Sequence, residues 1–284
     1  MAVTADDFGI APEVNEAVEL AHRDGILSAA SLMVAGPAAA DAVARARRLP
    51  NLRVGLHLVL IEAWPTLPPE QVPDLVDGNG RFRIDMARLG LEIALRPAVR
   101  RQLRAEIEAQ FAAYAATGLP LAHVDAHKHY HLHPVIAAAV IAIGKRHGMR
   151  NLRVPVEPAS VLAAVEPGSR RPLATSAGPW ARLLSRRARR AGLTTPDAVF
   201  GLAWSGAMTA ERVAGLLHRL PEGRVEIYTH PATSGGFDGA APGYRYADEL
   251  TALLAPECIA AARRPGVRLG GYGDPQPRSG LPAA

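Results

Sequence analysis

Short apolar runs alternate with longer stretches of helical periodicity along most of this chain. The apolar runs predict strands at 2–5, 26–35, 52–60, 121–126, 152–156, 199–204, 224–228 and 267–269. The periodic stretches predict helices at 14–24, 38–48, 86–94, 99–116, 134–147, 209–219 and 246–263. Pro12 stands where the first turn of a helix accepts proline. The repeated order of strand and then helix favours a parallel sheet or barrel.

The length of the chain sets the scale of this fold. A (β/α) barrel commonly has about 250 residues, so a chain of 284 residues accommodates one. We therefore expect an α/β protein with a single (β/α) barrel of the TIM type, regular or irregular, over residues 1–271. The segment 158–191 departs from the alternation and predicts a helical insertion. Residues 272–284 end a Gly/Pro-rich stretch and are expected to form a flexible tail.

Composition narrows the class of protein and of site. Cys258 is the only cysteine, which excludes a disulfide framework and a thiolate metal cluster and suits a reducing compartment. Asp6 and Asp7 come too early for an apolar signal segment, and no apolar run reaches the ~18 residues of a membrane span. We expect a soluble, cytoplasmic protein, for which a homodimer is one option.

Positive charge is concentrated in one segment of a chain whose formal net charge is +5. Between Glu166 and Asp197 there is no acidic residue, but there are seven arginines: Arg170, Arg171, Arg182, Arg186, Arg187, Arg189 and Arg190. Such a run is most often a solvated face. Because no aromatic residues interleave it, we expect no nucleic-acid partner. The basic side of a helix over Arg182–Arg190 is also typical of peripheral contact with an anionic membrane, here its inner face.

Polar residues recur at the ends of the predicted strands. Each of the following lies at or just beyond the C-terminal end of a separate strand: Asp6 with Asp7, His57, His127, Arg153 and His230. Barrels of this class place catalytic groups at that end of their strands. These side chains, scattered in sequence, are therefore expected to meet in space.

The segment 123–133 is the densest of these signals. It holds five of the ten histidines together with an aspartate, all at odd positions: His123, Asp125, His127, His129, His131 and His133. Odd residues of an extended strand share one face, so at least the first three are expected to converge. A buried face cannot carry so many polar groups without partners, which favours a metal site or an acid/base site. His133, just before Pro134, is expected to be a cap or loop residue.

The other polar residues also have plainer interpretations. Acidic residues are favoured at the start of a helix, which would explain Asp6 and Asp7. Alternatively, neighbouring residues of an extended chain point to opposite sides, which would give these two carboxylates different roles. His57, among apolar neighbours, is on its own most typical of a core histidine. His230 by itself favours neither interpretation.

Together these motifs resemble, in order and spacing, those of the YdjC-like carbohydrate deacetylases. The residues that carry the resemblance are 4–9, 55–58, 123–131 and 230–231, and it extends from the N-terminus to about Gly271. One departure is Ala126, where the family often has a small hydroxyl residue. The segment 153–157 and the arginine-rich insertion most resemble the hopanoid-biosynthesis branch, HpnK. That branch implies removal of acetyl from an N-acetylglucosaminyl hopanoid.

The resemblance implies a metal-dependent N-deacetylase. It makes Asp7, His57 and His127 the ligands of one divalent ion, zinc or magnesium, with nickel or manganese also compatible with this ligand set. Asp6 is then the candidate base for the attacking water, and His230 the candidate acid for the leaving amine.

The remaining candidate residues are expected to orient the metal ligands or to bind the substrate. Asp125 is expected to orient a histidine, since a ligating imidazole needs a fixed tautomer. His129 and His131 are expected to bind substrate or to support the ligands. Arg153 is expected either to bind sugar hydroxyls or to pair with Glu157.

Three functions are compatible with these residues. A glycolipid substrate calls for an apolar surface near the site, which 179–204 would provide. A soluble chito-oligosaccharide calls for exposed aromatic platforms, and aromatics make up only 5% of the chain, which favours the lipid. A non-catalytic, metal-dependent sugar-binding protein would have no need of the second acid, Asp6.

Overall fold

A single parallel sheet of six strands organises the fold, in the order β4-β3-β2-β1-β6-β5. The computed structural model describes residues 1–168 and 172–274. The strands are β1 Ala2–Phe8, β2 Ala29–Leu32, β3 Arg53–Leu58, β4 Val124–Ala126, β5 Ala198–Phe200 and β6 Val225–Thr229. All pairings are parallel, so every strand ends at the same edge of the sheet.

Helices connect and cover these strands. In the described part of the chain they are α1 Pro12–Asp24, α2 Ala39–Arg48, α3 Met86–Leu95, α4 Pro97–Ala116, α5 Pro134–Arg146, α6 Ala159–Val165, α7 Pro172–Arg190, α8 Ala210–Leu217, α9 Tyr246–Leu254 and α10 Pro256–Ala262. Pro12 occupies the first turn of α1, as predicted. Of the described helices, none combines the length and apolarity that crossing a bilayer requires.

The sheet curls into a half-barrel that stays open, with the short strands β4 and β5 at its edges. The expected complete TIM barrel is not formed, because two predicted strands do not join the sheet. The segment 152–156 makes only an isolated bridge, from Leu152 to Val124, and Pro155 within it lacks the N–H that a strand ladder needs. The segment 267–269 is irregular and leads to Gly270, whose N–H donates to the Met1 carbonyl at 2.9 Å.

One of the helical predictions also changes. The predicted helix 246–263 is two helices, because Pro256 cannot continue α9 and the preceding Ala255 is extended (φ −63°, ψ 131°). The predicted insertion 158–191 contains α6 and α7, while Arg170 and Arg171 lie outside the described residues.

The end of the described chain packs on the fold. Tyr272, predicted to start the tail, is only 3% exposed, and its ring lies 5.4 Å from that of His123. Asp274 pairs with Arg53 at 3.3 Å. Residues 272–274 therefore belong to the folded body, and the rest of the predicted tail, 275–284, lies outside the described residues.

The sheet is buried almost throughout, as expected of a parallel sheet covered by helices. Every residue of β6 is buried, and in β1 only Asp7 is partly exposed. These strands nevertheless carry polar residues inward, since Thr4 Oγ1 donates to Glu226 Oε1 at 2.7 Å. A polar network therefore runs beneath the carboxyl edge of the sheet.

Candidate metal centre

Asp7, His57 and His127 meet at the carboxyl edge of the sheet. Asp7 Oδ1 lies 3.2 Å from Nε2 of His57 and 3.1 Å from Nδ1 of His127. One ligand atom from each residue lies within 4.8 Å of the others. One carboxylate and two imidazoles form a ligand set that suits zinc and admits other divalent ions. The three residues predicted as ligands are therefore close enough to share one ion.

A local turn in β1 gives Asp7 this position. Its φ is +61°, and the register of β1 against β2 shifts between Ala5 and Phe8. Aspartate adopts this left-handed conformation more readily than most residues. The neighbouring carboxylates were expected to point to opposite sides, but Asp6 also lies within 4.8 Å of His57. The turn thus brings both acids to the same imidazole.

His57 is hydrogen-bonded at one ring nitrogen and faces the Asp7 carboxylate with the other. Its Nδ1 lies 2.8 Å from Asp125 Oδ1, the contact expected of Asp125, and the same aspartate accepts from Ser31 Oγ at 2.7 Å. The buried Nε2 of His57 has no hydrogen-bond partner among the described residues. Metal-ligating histidines characteristically donate their second ring N–H to a carboxylate. The orphaned Nε2 therefore fits a metal ligand.

A buried charge cluster lies beneath this centre. Arg153 is fully buried, and its Nη1 lies 2.7 Å from both Asp6 Oδ2 and Asp125 Oδ2, while its Nη2 lies 2.8 Å from Glu226 Oε1. One guanidinium thus faces three buried carboxylates, and Asp7 adds a fourth nearby. This excess of negative charge favours a further cation at the centre.

The position of Arg153 corrects both roles expected for it. A fully buried guanidinium cannot bind sugar hydroxyls at the surface. Its ion-pair partners among the described residues come from β1, β4 and β6. The Glu157 carboxylate instead accepts hydrogen bonds from the backbone N–H groups of 201, 202 and 203.

The negative surroundings shift the titration of the candidate ligands. Burial disfavours the charged imidazole of His57, but the charge of Asp125 outweighs it and raises the pKa of His57 to about 10. Burial also opposes ionisation of Asp7, yet the charge of His127 holds the pKa of Asp7 well below its usual range. His127 responds in turn, since Asp7 overcomes burial and raises its pKa. The pocket therefore stabilises positive charge.

The odd-numbered alternation expected for 123–133 holds only as far as His127. His123 Nε2 lies 2.9 Å from Ser31 Oγ, the same hydroxyl that donates to Asp125. The ring of His57, which contacts Asp125, lies 5.6 Å from that of His127, so the first three polar residues do converge. Lys128 and His129 then adopt left-handed conformations, with φ of 51° and 54°, which ends the strand-like alternation.

His129 and His131 consequently contact other partners than the first three polar residues do. His129 Nε2 lies 2.9 Å from Tyr228 Oη, and buried His131 directs Nε2 to the Arg153 carbonyl at 2.8 Å. His131 thus lies beneath the site and not on its surface. His133 caps α5 by accepting from the Val135 N–H at 3.3 Å, as predicted.

His230 lies beside the centre on the neighbouring strand. Ala5 is in register with Thr229, which places His230 next to Asp6 just beyond β6. Its partly buried ring lies 5.1 Å from that of Tyr244, and its Nδ1 has no hydrogen-bond partner in the described part of the chain. His230 thus has a buried ring nitrogen that no described residue satisfies, beside the candidate centre.

Glu62 is the main feature that the sequence did not reveal. Its Oε2 lies 3.6 Å from His127 Nε2, and its carboxylate pairs with Lys128. Glu62 also has a positive φ, and the described non-glycine residues with that conformation are Asp7, Glu62, Lys128 and His129. All four border the centre, which is typical of functional sites. Glu62 lies in a loop whose local sequence carries no motif that would have marked it.

Comparisons with known proteins agree with this geometry. The family described as "YdjC-like protein" matches residues 1–264. A carbohydrate deacetylase of Geobacillus stearothermophilus is 30% identical over 94% of each chain. One of Brevibacillus brevis is 38% identical over 55% of this chain, an alignment that spans 58% of that relative. One of Homo sapiens is 30% identical over 95% of this chain and 88% of its own.

A solved structure extends the agreement to the fold. A proposed cellobiose-phosphate cleavage protein of Enterococcus faecalis V583 superposes with a TM-score of 0.72 and 25% identity. The match covers 95% of this chain and 96% of that protein. Because the family match spans nearly the whole folded body and includes every residue of the candidate centre, the chain belongs to the YdjC-like family.

Proposed function

We propose that this protein is a metal-dependent N-deacetylase that removes the acetyl group from an N-acetylglucosaminyl substrate. The observation that carries the proposal is His57, whose Nδ1 is fixed by Asp125 while its buried Nε2 faces Asp7 without a hydrogen-bond partner among the described residues. Asp7 and His127 complete a ligand set of the kind found at open, catalytic metal sites. The names of the relatives, carbohydrate deacetylases, support the reaction class.

The chemistry divides between the ion and the protein. A divalent ion held by Asp7, His57 and His127 would acidify a water molecule and polarise the acetyl oxygen. Asp6 serves as the base that takes the proton from the attacking water. Arg153 holds its two oxygens at 2.7 and 2.9 Å, which fixes the carboxylate, and each oxygen keeps a lone pair for that proton.

His230 serves as the acid. As the C–N bond of the acetamide breaks, the sugar nitrogen needs a proton to leave as an amine, and acetate is the other product. His230 lies next to Asp6 across the β1–β6 pairing, so base and acid come from adjacent strands. A non-catalytic sugar-binding protein would need neither of them.

We assign the substrate to the lipid-linked class, an acetylglucosaminyl hopanoid. The resemblance to the hopanoid branch and the scarcity of aromatic residues support this assignment. The competing substrate is a soluble chito-oligosaccharide, which the names of the relatives, carbohydrate deacetylases, accommodate equally well.

Metal content and acetate release, measured on the same samples, test the assignment. Asp7→Ala and His127→Ala should lose both bound metal and activity, whereas Asp6→Asn should keep the metal and lose turnover. His218→Ala, at an exposed site on the helix end after α8, is the control and should change neither. Retention of metal in both ligand variants would refute the ligand assignment.

The substrate is tested with an N-acetylglucosaminyl hopanoid and N,N'-diacetylchitobiose side by side, with and without chelator. Chelator-sensitive release from the hopanoid alone would support the lipid. Release of acetate from chitobiose alone would support the deacetylase reaction and refute the lipid-linked substrate. Release from neither would favour a non-catalytic sugar-binding protein.

A further inference from the structure

Large apolar side chains reach solvent on two elements of the described structure. Ile84 just before α3, Leu91 and Leu95 on α3, and Trp180 and Leu183 on α7 are between 42% and 76% exposed. Large apolar residues clustered at the surface usually mark an interaction site. These five residues are the apolar part of what we call the α3/α7 surface.

The two elements flank one segment of the candidate centre. Tyr130 Oη donates to the Met86 carbonyl of α3 at 2.9 Å, and Trp180 Nε1 of α7 donates to the Leu132 carbonyl. Tyr130 and Leu132 both belong to the 3-10 segment His127–Leu132, whose first residue is a candidate metal ligand. The α3/α7 surface therefore borders the segment that positions His127.

Helix α7 adds positive charge to this surface. Its buried side chains, Ala181, Leu184 and Ala188, pack on the protein. The exposed remainder carries Arg182, Arg186, Arg187 and Arg190, which form no ion pair with a described residue. Arg189 differs, because it pairs with Asp197 at 2.7 Å. Four cations thus stand beside Trp180 and Leu183 without an acidic partner in the described part of the chain.

We propose that the α3/α7 surface docks on an anionic lipid bilayer. An exposed helix face that combines tryptophan, leucine and several arginines matches the interface between lipid headgroups and acyl chains. Arginine pairs with phosphate oxygens while tryptophan and leucine enter the apolar layer. A nucleic acid would satisfy the arginines but would leave Ile84, Leu91 and Leu95 in water. This proposal is independent of the reaction, so its failure would leave the proposed deacetylase activity untouched.

Vesicle flotation of the full chain tests the proposal. The probes are phosphatidylcholine vesicles with and without phosphatidylglycerol, at low and high salt. We expect binding only to the anionic vesicles, and weaker binding at high salt. Arg182→Glu/Arg186→Glu should weaken binding by at least about 25-fold, because each lost basic residue near an anionic surface contributes about fivefold and each new glutamate adds repulsion. Leu91→Ser/Leu183→Ser should weaken it by about tenfold or more.

A matched control separates this surface from net charge. Arg263→Glu/Arg268→Glu removes the same charge near Met1, at the opposite end of the sheet, and should change binding by less than about threefold. Because all the substituted side chains are exposed, thermal unfolding should be unchanged. Absence of binding to anionic vesicles at low salt would overturn the proposal. Equal loss in the control would also overturn it, as would full binding by the leucine variant, which indicates a general polyanion surface.

Discussion

Replacing Arg153 by methionine tests how strongly the buried charge cluster stabilises the fold. Methionine has a similar reach but no charge, so Asp6, Asp125 and Glu226 would lose the cation that lies 2.7–2.8 Å from their oxygens. Removing one partner of a buried ion pair costs about 3–5 kcal/mol, because the other charge stays out of water without compensation. Three carboxylates depend on this one guanidinium, so we expect a loss at the upper end of that range.

An exposed pair of nearly the same length provides the comparison. Arg245 lies 2.5 Å from Asp248, and the two side chains are 55% and 50% exposed. Such pairs contribute about 0–1 kcal/mol, since water and salt screen both charges. Arg245→Met should therefore cost at most about 1 kcal/mol. Because the ion-pair distances are almost equal, the difference in the free energy of unfolding between the two variants measures the effect of burial.

Urea unfolding of the wild type and the two variants measures the free energies of unfolding. Equal losses in Arg153→Met and Arg245→Met would refute the reasoning. If Arg153→Met does not fold, Arg153→Lys keeps one charge without the planar fork of donors and should show an intermediate loss. A lysine variant as stable as the wild type would refute the reasoning equally.

Three further predictions concern metal binding, packing and pH. Asp125→Asn should weaken zinc binding about 10–100-fold in a chelator competition, because the ring of His57 loses its carboxylate partner. Gly55→Ala should cost about 1–3 kcal/mol in urea unfolding, since a Cβ there would lie 2.5 Å from the buried ring of His123. Burial lowers the pKa of His131 to about 4, against 6.5 in the unfolded chain. As the pH falls from about 6.5 to 4, the unfolded chain therefore binds the proton first, and the free energy of unfolding decreases. Between about pH 7 and pH 5 the wild type should lose about 2 kcal/mol more than His131→Gln.

Each of these predictions has a control and a contradicting outcome. Ser31→Ala removes a hydrogen bond to Asp125 but keeps the contact between Asp125 and His57. If this variant lost as much zinc affinity as Asp125→Asn, the result would argue against orientation of His57 by Asp125 as the cause. Gly78→Ala meets no atom within 4 Å and should be neutral, so an equal cost at both glycines would argue against a steric cause. His218→Gln, at an exposed site, should keep the wild-type pH dependence. The same dependence in His131→Gln would exclude His131 as its source.

Much of the local structure could be predicted because it depends on neighbouring residues. Apolar periodicity located α1, α2, α5 and the strands of the sheet to within a few residues. The break at Pro256 was also visible in sequence, because a proline ends the preceding helix, but the prediction continued through it. The position of His57 and His127 near the C-terminal ends of strands was enough to bring them together, since parallel strands end at one edge.

The sequence by itself determined most of the strands and helices, the placement of Asp7, His57 and His127 at strand ends, and the cap or loop position of His133. Tertiary structure alone decided that the barrel stays open, that Asp7 turns toward the same imidazole as Asp6, and that Arg153 is buried. The partners of Arg153 come from three separate strands, so no local pattern marks them. The physical reason is that periodicity encodes which face a residue occupies, whereas a buried charge takes whichever opposite charges the packed strands bring within reach.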